Sequence, residues 1–380
     1  MRSFLFPLAL FVAFASAAAA QDRASDVQNA FGRAQHLKRG INASEWFAQT
    51  EDYSASRTDR YTDAADIALI ARLGFDHVRL SIDAAPLEAS LQALPGGGEN
   101  SDFLARLDRA VDTMLGDGLS VLIDIHPSDD YKQRLRNGND SVDRLAMLWR
   151  KLAAHYAGRD PERVFFEIMN EPEVSDPYRW AGLQARVAAA IRQAAPKHTI
   201  IATGAMWSDV QDLLALQSLA DGNVIYNFHF YEPHEFTHQG ATWGEPWWSY
   251  SHSIPYPATE SSMQQLLKQV PDGANRYQLE NYWLNHWDAG HIRALIDEAA
   301  EWGRENHVPL ICDEFGAYRE HTDPASRINW IRDVRTALEA DGIGWTMWDY
   351  RGGFGVVRKE DGQPAQVDDD VVKALGLGRK

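Results

Sequence analysis

Val164-Phe165-Phe166-Glu167-Ile168-Met169-Asn170-Glu171-Pro172 is a short apolar run that closes on polar side chains and a proline. A run of this length, bounded by a turn residue, reads as a strand of a parallel sheet, from Val164 to Asn170. Seven more runs of the same kind flank it: Leu37 to Ala43, Asp76 to Ile82, Ser120 to His126, Thr199 to Gly204, Asn223 to Tyr231, Pro309 to Glu314 and Gly344 to Asp349. Amphipathic segments alternate with them, at Asp63 to Leu73, Phe103 to Leu115, Asp143 to Tyr156, Trp180 to Ala194, Gly290 to Asn306 and Pro324 to Ala340. In the last of these Arg327, Trp330, Ile331 and Val334 follow the 3.6-residue helical period. Eight strands alternating with helices predict a (β/α)8 TIM barrel.

The chain has 380 residues, which suits one such barrel with insertions. No sequence repeat or Pro/Gly/Ser linker divides it, so a single domain is expected over 21–380. Gly96-Gly97-Gly98 reads as a local turn. The stretch from Glu232 to Ala289, after strand six, is too long for an ordinary connection. It holds Trp243, Trp247, Trp248, Trp283 and Trp287, too aromatic for disorder, and is expected to fold over the barrel mouth.

Residues 1–20 carry one charge at Arg2, an apolar run from Phe4 to Phe14 and small residues ending Ala18-Ala19-Ala20, the pattern of a cleavable signal peptide. The apolar run is shorter than the roughly 20 residues that span a bilayer. A secreted or periplasmic location follows as the expectation, with cleavage near Ala20 and Gln21. The single Cys312 sits in an apolar run and reads as a buried thiol without a disulfide partner. A net charge of −17 disfavours nucleic acid and anionic membranes as partners, while a neutral substrate is compatible. Thirteen Trp supply faces that suit sugar rings, although most Trp in a barrel are core. A monomer is expected.

In a barrel of this kind the carboxyl ends of the strands converge on one mouth. Here they carry Arg79, His126, Asn170-Glu171, His229 and Tyr231, Asp313-Glu314, and Trp348-Asp349. A single Glu at a strand end is as easily a helix N-terminal charge or a solvated loop residue. Two, at the ends of strands four and seven, would face each other across the mouth. That pairing suits acetal cleavage with retention, which needs two carboxyls about 5–5.5 Å apart. Glu171 would be the acid/base, its pKa raised by burial or a neighbouring charge, and Glu314 the nucleophile, held ionised by donors such as Arg79 and Tyr231. His126, Arg79, Trp348 and Trp46 each have an ordinary structural reading and gain weight by sharing one face. No H-E-x-x-H or paired-Cys spacing points to a metal, and G-x-S-x-G is absent.

At these residues the sequence resembles glycoside hydrolase family 5, the cellulase family of clan A. The matching features are Arg39-Gly40-Ile41-Asn42, His77-Val78-Arg79-Leu80, Leu122-Ile123-Asp124-Ile125-His126, Phe166-Glu167-Ile168-Met169-Asn170-Glu171-Pro172, Phe228-His229-Phe230-Tyr231, Asp313-Glu314-Phe315-Gly316 and Trp345-Thr346-Met347-Trp348. The resemblance implies the same two roles for Glu171 and Glu314. It implies that Asn170 holds the 2-hydroxyl of the reacting sugar, that His126 and His229 line the subsite and tune Glu171, and that Trp348 forms its floor. Trp46 and Trp243 are further substrate-binding candidates. No metal or organic cofactor is implied. The expected activity is an endo-β-1,4-glucanase acting on a β-glucan polysaccharide or oligosaccharide. The alternatives are a mannanase, an exo-β-1,3-glucanase or a β-glucosidase-like exo-enzyme, and, in another class, a non-catalytic carbohydrate-binding barrel. Pro127 departs from the family pattern, because a polar or aromatic residue often follows the strand-three histidine there.

Overall fold

The computed structural model describes residues 21, 23–92, 102–270 and 273–378. The signal segment and the Gly96-Gly97-Gly98 turn lie outside them. Eight parallel strands close in sequence order into a barrel: β1 (Arg39–Phe47), β2 (His77–Ile82), β3 (Ser120–Ile125), β4 (Val164–Glu167), β5 (Thr199–Ala202), β6 (Val224–Phe230), β7 (Leu310–Phe315) and β8 (Gly344–Met347). All eight predicted strands are present. β8 pairs with β1 through Arg39 with Trp345 and Ile41 with Met347, which completes the ring.

The two-residue period of the strands sorts their side chains into two environments. Val78, Leu80, Val121, Ile123, Val164, Phe166, Tyr226 and Phe228 point outward into the main core beneath the helices. Leu122, Phe165, Ile201, Ile225 and Ile311 point inward, join Leu37 and fill the base of the barrel with apolar volume. One step further along each strand the inward positions become polar: Asn42, Arg79, Asp124, Glu167, Asn227 and Asp313 are all fully buried. The interior therefore changes from hydrocarbon to a hydrogen-bonded polar layer just below the mouth.

The surrounding helices begin where the chain supplies caps. Asp63 accepts from the backbone N–H groups of Ala65 and Asp66, and Asp66 returns the bond, to start the helix Ala64–Leu73. Asp176 and Asp323 cap the helices Pro177–Ala194 and Pro324–Ala340, each with proline in the first turn, where its missing N–H costs nothing.

The Glu232–Ala289 stretch is more ordered than a loop, and only part of it meets the mouth. It contains the short helices His234–Thr237, Glu260–Leu267 and Ala274–Leu284. Trp243, Trp247 and Trp248 line the mouth, but Trp287 is buried against the core and Trp283 packs on it. Tyr256 Oη donates to Asp333 at 3.0 Å, which ties this second half to the outer helix Pro324–Ala340. Apolar side chains at the far end of the segment find more burial against the barrel wall than over an open cleft. Cys312 is a free, buried thiol. Among the described residues, no helix is long and apolar enough to cross a membrane.

Candidate active site

Arg79 is the hub on which the site is built. Its side chain is fully buried and reaches across the barrel from β2. Nε and Nη2 donate to the two oxygens of Glu167, both at 2.7 Å. Nη1 donates to Glu314 Oε1 at 2.6 Å and to Asn42 Oδ1 at 3.0 Å, and Nη2 to Asn170 Oδ1 at 2.9 Å. Burial works against the guanidinium charge, but Asp124, Glu167 and Glu314 outweigh it and hold its pKa well above the ordinary value. Glu167 is the converse case. Burial pushes its carboxyl well up despite Arg79.

Glu314 ends β7, where a register shift against β6 brings it beside His229. Arg79 holds one of its oxygens and Tyr231 Oη donates to the other at 2.8 Å. Burial and the Glu314 charge push the Tyr231 pKa well up, so the phenol keeps its proton and donates. The expected pair of donors on Glu314 is thus present.

Glu171 follows β4 in a backbone conformation that L-residues avoid, with φ of 37°. Its loop is pinned on both sides: Asn170 N–H donates to Ile125 C=O at 2.9 Å, and Val174 N–H to Ala205 C=O at 2.7 Å. Glu171 Oε1 lies 2.9 Å from His229 Nδ1, which is also 3.7 Å from Glu314 Oε2. An oxygen of Glu171 and one of Glu314 lie within 4.8 Å of each other. That is short of the roughly 6.5–9.5 Å that leaves room for a water between the carboxyls, and suits direct attack on a sugar carbon.

The electrostatics of this pair differ from the sequence expectation. Burial opposes a charge on His229, yet Glu314, Asp313 and Glu171 together raise its pKa well above the usual value. Burial likewise would raise Glu171, but the hydrogen bond and charge of His229, with help from Lys132 and His126, bring it down to about 2. The two shifts oppose each other across one hydrogen bond: the pair favours a proton on His229 over one on Glu171. Glu171, His229 and Glu314 are also the one set of three such donors, among the described residues, close enough to share a metal ion. Both oxygens of Glu314 already accept hydrogen bonds, and the surrounding carboxylates raise the His229 pKa, which disfavours the neutral ring that a metal ion would need.

His126 Nδ1 lies 3.0 Å from Asp124 Oδ2, and its Nε2 is 3.2 Å from Asn170 Nδ2, so Asn170 donates to the ring and is held from both sides. The indole of Trp348 stacks near His126 at 5.8 Å between centroids, and both face the cleft. Trp243 stands half-exposed at the rim against Tyr318. Trp46 is the exception. It is buried, its Nε1 donates to Thr58 C=O at 2.8 Å, and it packs on Phe47, away from the cleft. The irregularity between Ala43 and Phe47 in β1 turns that indole toward the core, which spacing alone did not reveal.

The cleft has a volume of about 1220 Å³, above the roughly 300–1,000 Å³ of a small-molecule pocket. Several of its residues escaped sequence reasoning. Trp207, half-exposed after β5, sits beside the Glu171 loop because Glu173 N–H donates to Met206 C=O at 3.1 Å. Glu167 and Asn227 belong to the buried polar layer, and their one sequence signal was a polar residue inside an apolar run. Glu45 and Lys132 also line the cleft and carried no signal, while Asp349 lines it from the polar end of strand eight.

A family model described as cellulase (glycosyl hydrolase family 5) matches residues 40–353. Endoglucanase C of Acetivibrio thermocellus is 30% identical over 345 residues, covering 89% of this chain and 98% of that protein. Endoglucanase 3 of Fibrobacter succinogenes is 30% identical over 362 residues, 91% of this chain, which spans about half (53%) of that longer relative. Among solved structures, a hyperthermophilic endo-β-1,4-glucanase in complex with substrate superposes with a TM-score of 0.72 at 26% identity, covering 91% of this chain and 99% of that one.

Proposed function

The chain belongs to glycosyl hydrolase family 5 and hydrolyses O-glycosyl bonds, and on that premise we propose that it is a retaining endo-β-1,4-glucanase with Glu314 as nucleophile and Glu171 as acid/base. The observation that carries the reading is the approach of an oxygen of each carboxylate to within 4.8 Å, with Arg79 and Tyr231 donating to Glu314 and not to Glu171.

Glu314, oriented by two donors, attacks the anomeric carbon. Glu171 gives a proton to the departing oxygen. That proton is held by the His229–Glu171 pair, and a sugar that expels water from the pair disfavours the charge-separated form, returning the proton to Glu171. Once the leaving sugar is gone, the same pair takes a proton from water, which then releases the glycosyl group from Glu314. Asn170, fixed by Arg79 and His126, presents its amide to the 2-hydroxyl, and Trp348 supplies a face for the ring. The volume of the cleft and its carboxylate-rich lining support the binding of a neutral chain.

Glu314→Ala is expected to lower kcat by about three orders of magnitude or more on cello-oligosaccharides while binding persists. Glu171→Ala should cost about 10²–10⁴-fold there, and much less on 2,4-dinitrophenyl β-cellobioside, whose strongly acidic phenol leaves without a proton. Undiminished turnover by Glu314→Ala would overturn the assignment, and the absence of internal cutting on any β-1,4-glucan would overturn the endo reading. A secreted or periplasmic location, supported by the signal pattern of residues 1–20, and a monomeric state complete the proposal. N-terminal sequencing and the solution mass of the exported protein check both.

A further inference from the structure

Among the described residues that line the cleft, one is a lysine or arginine. It is Lys132, on the helix Asp129–Asn137 that follows β3. The lysine is 5% exposed, an expensive position for an ammonium group unless it is paired. Its partner is Glu173, whose Oε1 lies 3.2 Å from Nζ. Glu173, however, already has a second cation, since Arg136 Nη1 donates to its other oxygen at 2.8 Å. One carboxylate thus meets two positive charges. Arg136 alone suffices to neutralise Glu173, and the surplus charge belongs to the residue that faces the cleft. The bond to Glu173 also uses only one of the three N–H donors of the ammonium group.

The position of this charge relative to the chemistry follows from the chain. Glu173 is two residues beyond Glu171 on the same pinned loop, and its backbone is tied to the segment carrying Trp207. On the proposed mechanism the attacked sugar sits among Glu314, Asn170 and Trp348, while Lys132 lines the cleft beside the part of the loop that runs on past Glu171. The cleft is otherwise rich in carboxylates, Glu45, Glu51, Asp83, Asp129, Asp209 and Glu245 among them, which repel an anionic chain. A lone ammonium in such surroundings serves neutral hydroxyl oxygens.

We propose that Lys132 is a substrate-binding residue of the leaving-group side, its ammonium donating to a hydroxyl of the sugar that departs with the proton of Glu171. The inference rests on the β-1,4-glucanase reading and adds a specificity determinant to it. No other lining residue offers a formal positive charge for this contact apart from the histidines.

The test compares kcat/KM on cellotetraose with that on phenyl β-cellobioside, whose leaving phenol needs a proton as a sugar does but offers no hydroxyls in that subsite. Lys132→Met and Lys132→Gln remove the charge, and Lys132→Arg keeps it. The ratio of the two kcat/KM values is expected to fall about tenfold to a hundredfold in the uncharged variants and to recover substantially with arginine. An unchanged ratio in both uncharged variants would overturn the proposal. So would an equal loss on both substrates accompanied by a shifted pH profile, because Lys132 would then act through the charge on Glu171. Wild-type protein inactive on both substrates would remove the glucanase reading and this inference with it.

Discussion

His229 carries the main lesson at the scale of single residues. A retaining glycosidase is usually described through one protonated and one ionised carboxyl, but here an imidazole lies between three carboxylates whose charges favour its protonated form. Its raised pKa means that the shared proton persists to higher pH than an ordinary histidine would allow, and is lost only as pH rises through that raised value. His229→Gln removes this reservoir and leaves the proton to Glu171 alone. The alkaline limb of the kcat/KM–pH profile on phenyl β-cellobioside should then move to lower pH, while an unmoved limb would show that His229 does not hold the catalytic proton. The residue types at this site were legible in the sequence, because polar side chains closing apolar runs are costly unless they are used. Which nitrogen or oxygen holds the proton was not, since that depends on distances of a few tenths of an ångström between residues 58 and 85 positions apart.

At the scale of the element, β1 shows where periodicity stops being informative. Alternation places Asn42 inward and Ile41 and Ala43 outward, as a regular strand requires. Beyond Ala43 the pairing with β2 is interrupted until Phe47 meets Ile82, and Glu45 takes φ of 53° within the interruption. Counting by twos therefore fails after Ala43, and Trp46, expected in the cleft, enters the core. Trp46→Phe removes the N–H that serves Thr58 C=O, leaving a buried carbonyl short of a partner at a cost of roughly 1–3 kcal/mol. A lower Tm with unaltered KM for cello-oligosaccharides is expected, and a raised KM at unaltered Tm would return Trp46 to the substrate site. The segment after β6 teaches the same point: its aromatic content marked it as ordered, but only packing decided that Trp287 joins the core while Trp243 and Trp247 stay at the mouth.

For the whole molecule, closure of the barrel is the decisive event, and Asp349 stands at its seam. The residue follows β8, bonds Ser44 on β1, accepts from Gly352 N–H at 3.0 Å and is buried. Burial raises its pKa to about 6, more than its hydrogen bonds lower it. Because the folded-state value lies above the ordinary one, the protonated form is favoured on folding. The stabilisation is full at pH below the ordinary carboxylate value and is lost as pH rises through about 6. Asp349→Asn does not titrate, so its Tm relative to wild type should be higher at pH 8 than at pH 5, measured by thermal unfolding. A difference independent of pH would mean that Asp349 is not the group that titrates. By itself the sequence determined the strand order, the barrel class and that a glutamate closes each of strands four and seven, because burial period and the cost of isolated polar groups are local properties. Only the tertiary structure decided that Arg79 binds Glu167 and Glu314 together, that Trp46 leaves the cleft and Lys132 enters it, and that His229 stands between Glu171 and Glu314. Those depend on closing the ring, which brings remote side chains to hydrogen-bond distance in a medium where each charge answers to its neighbours.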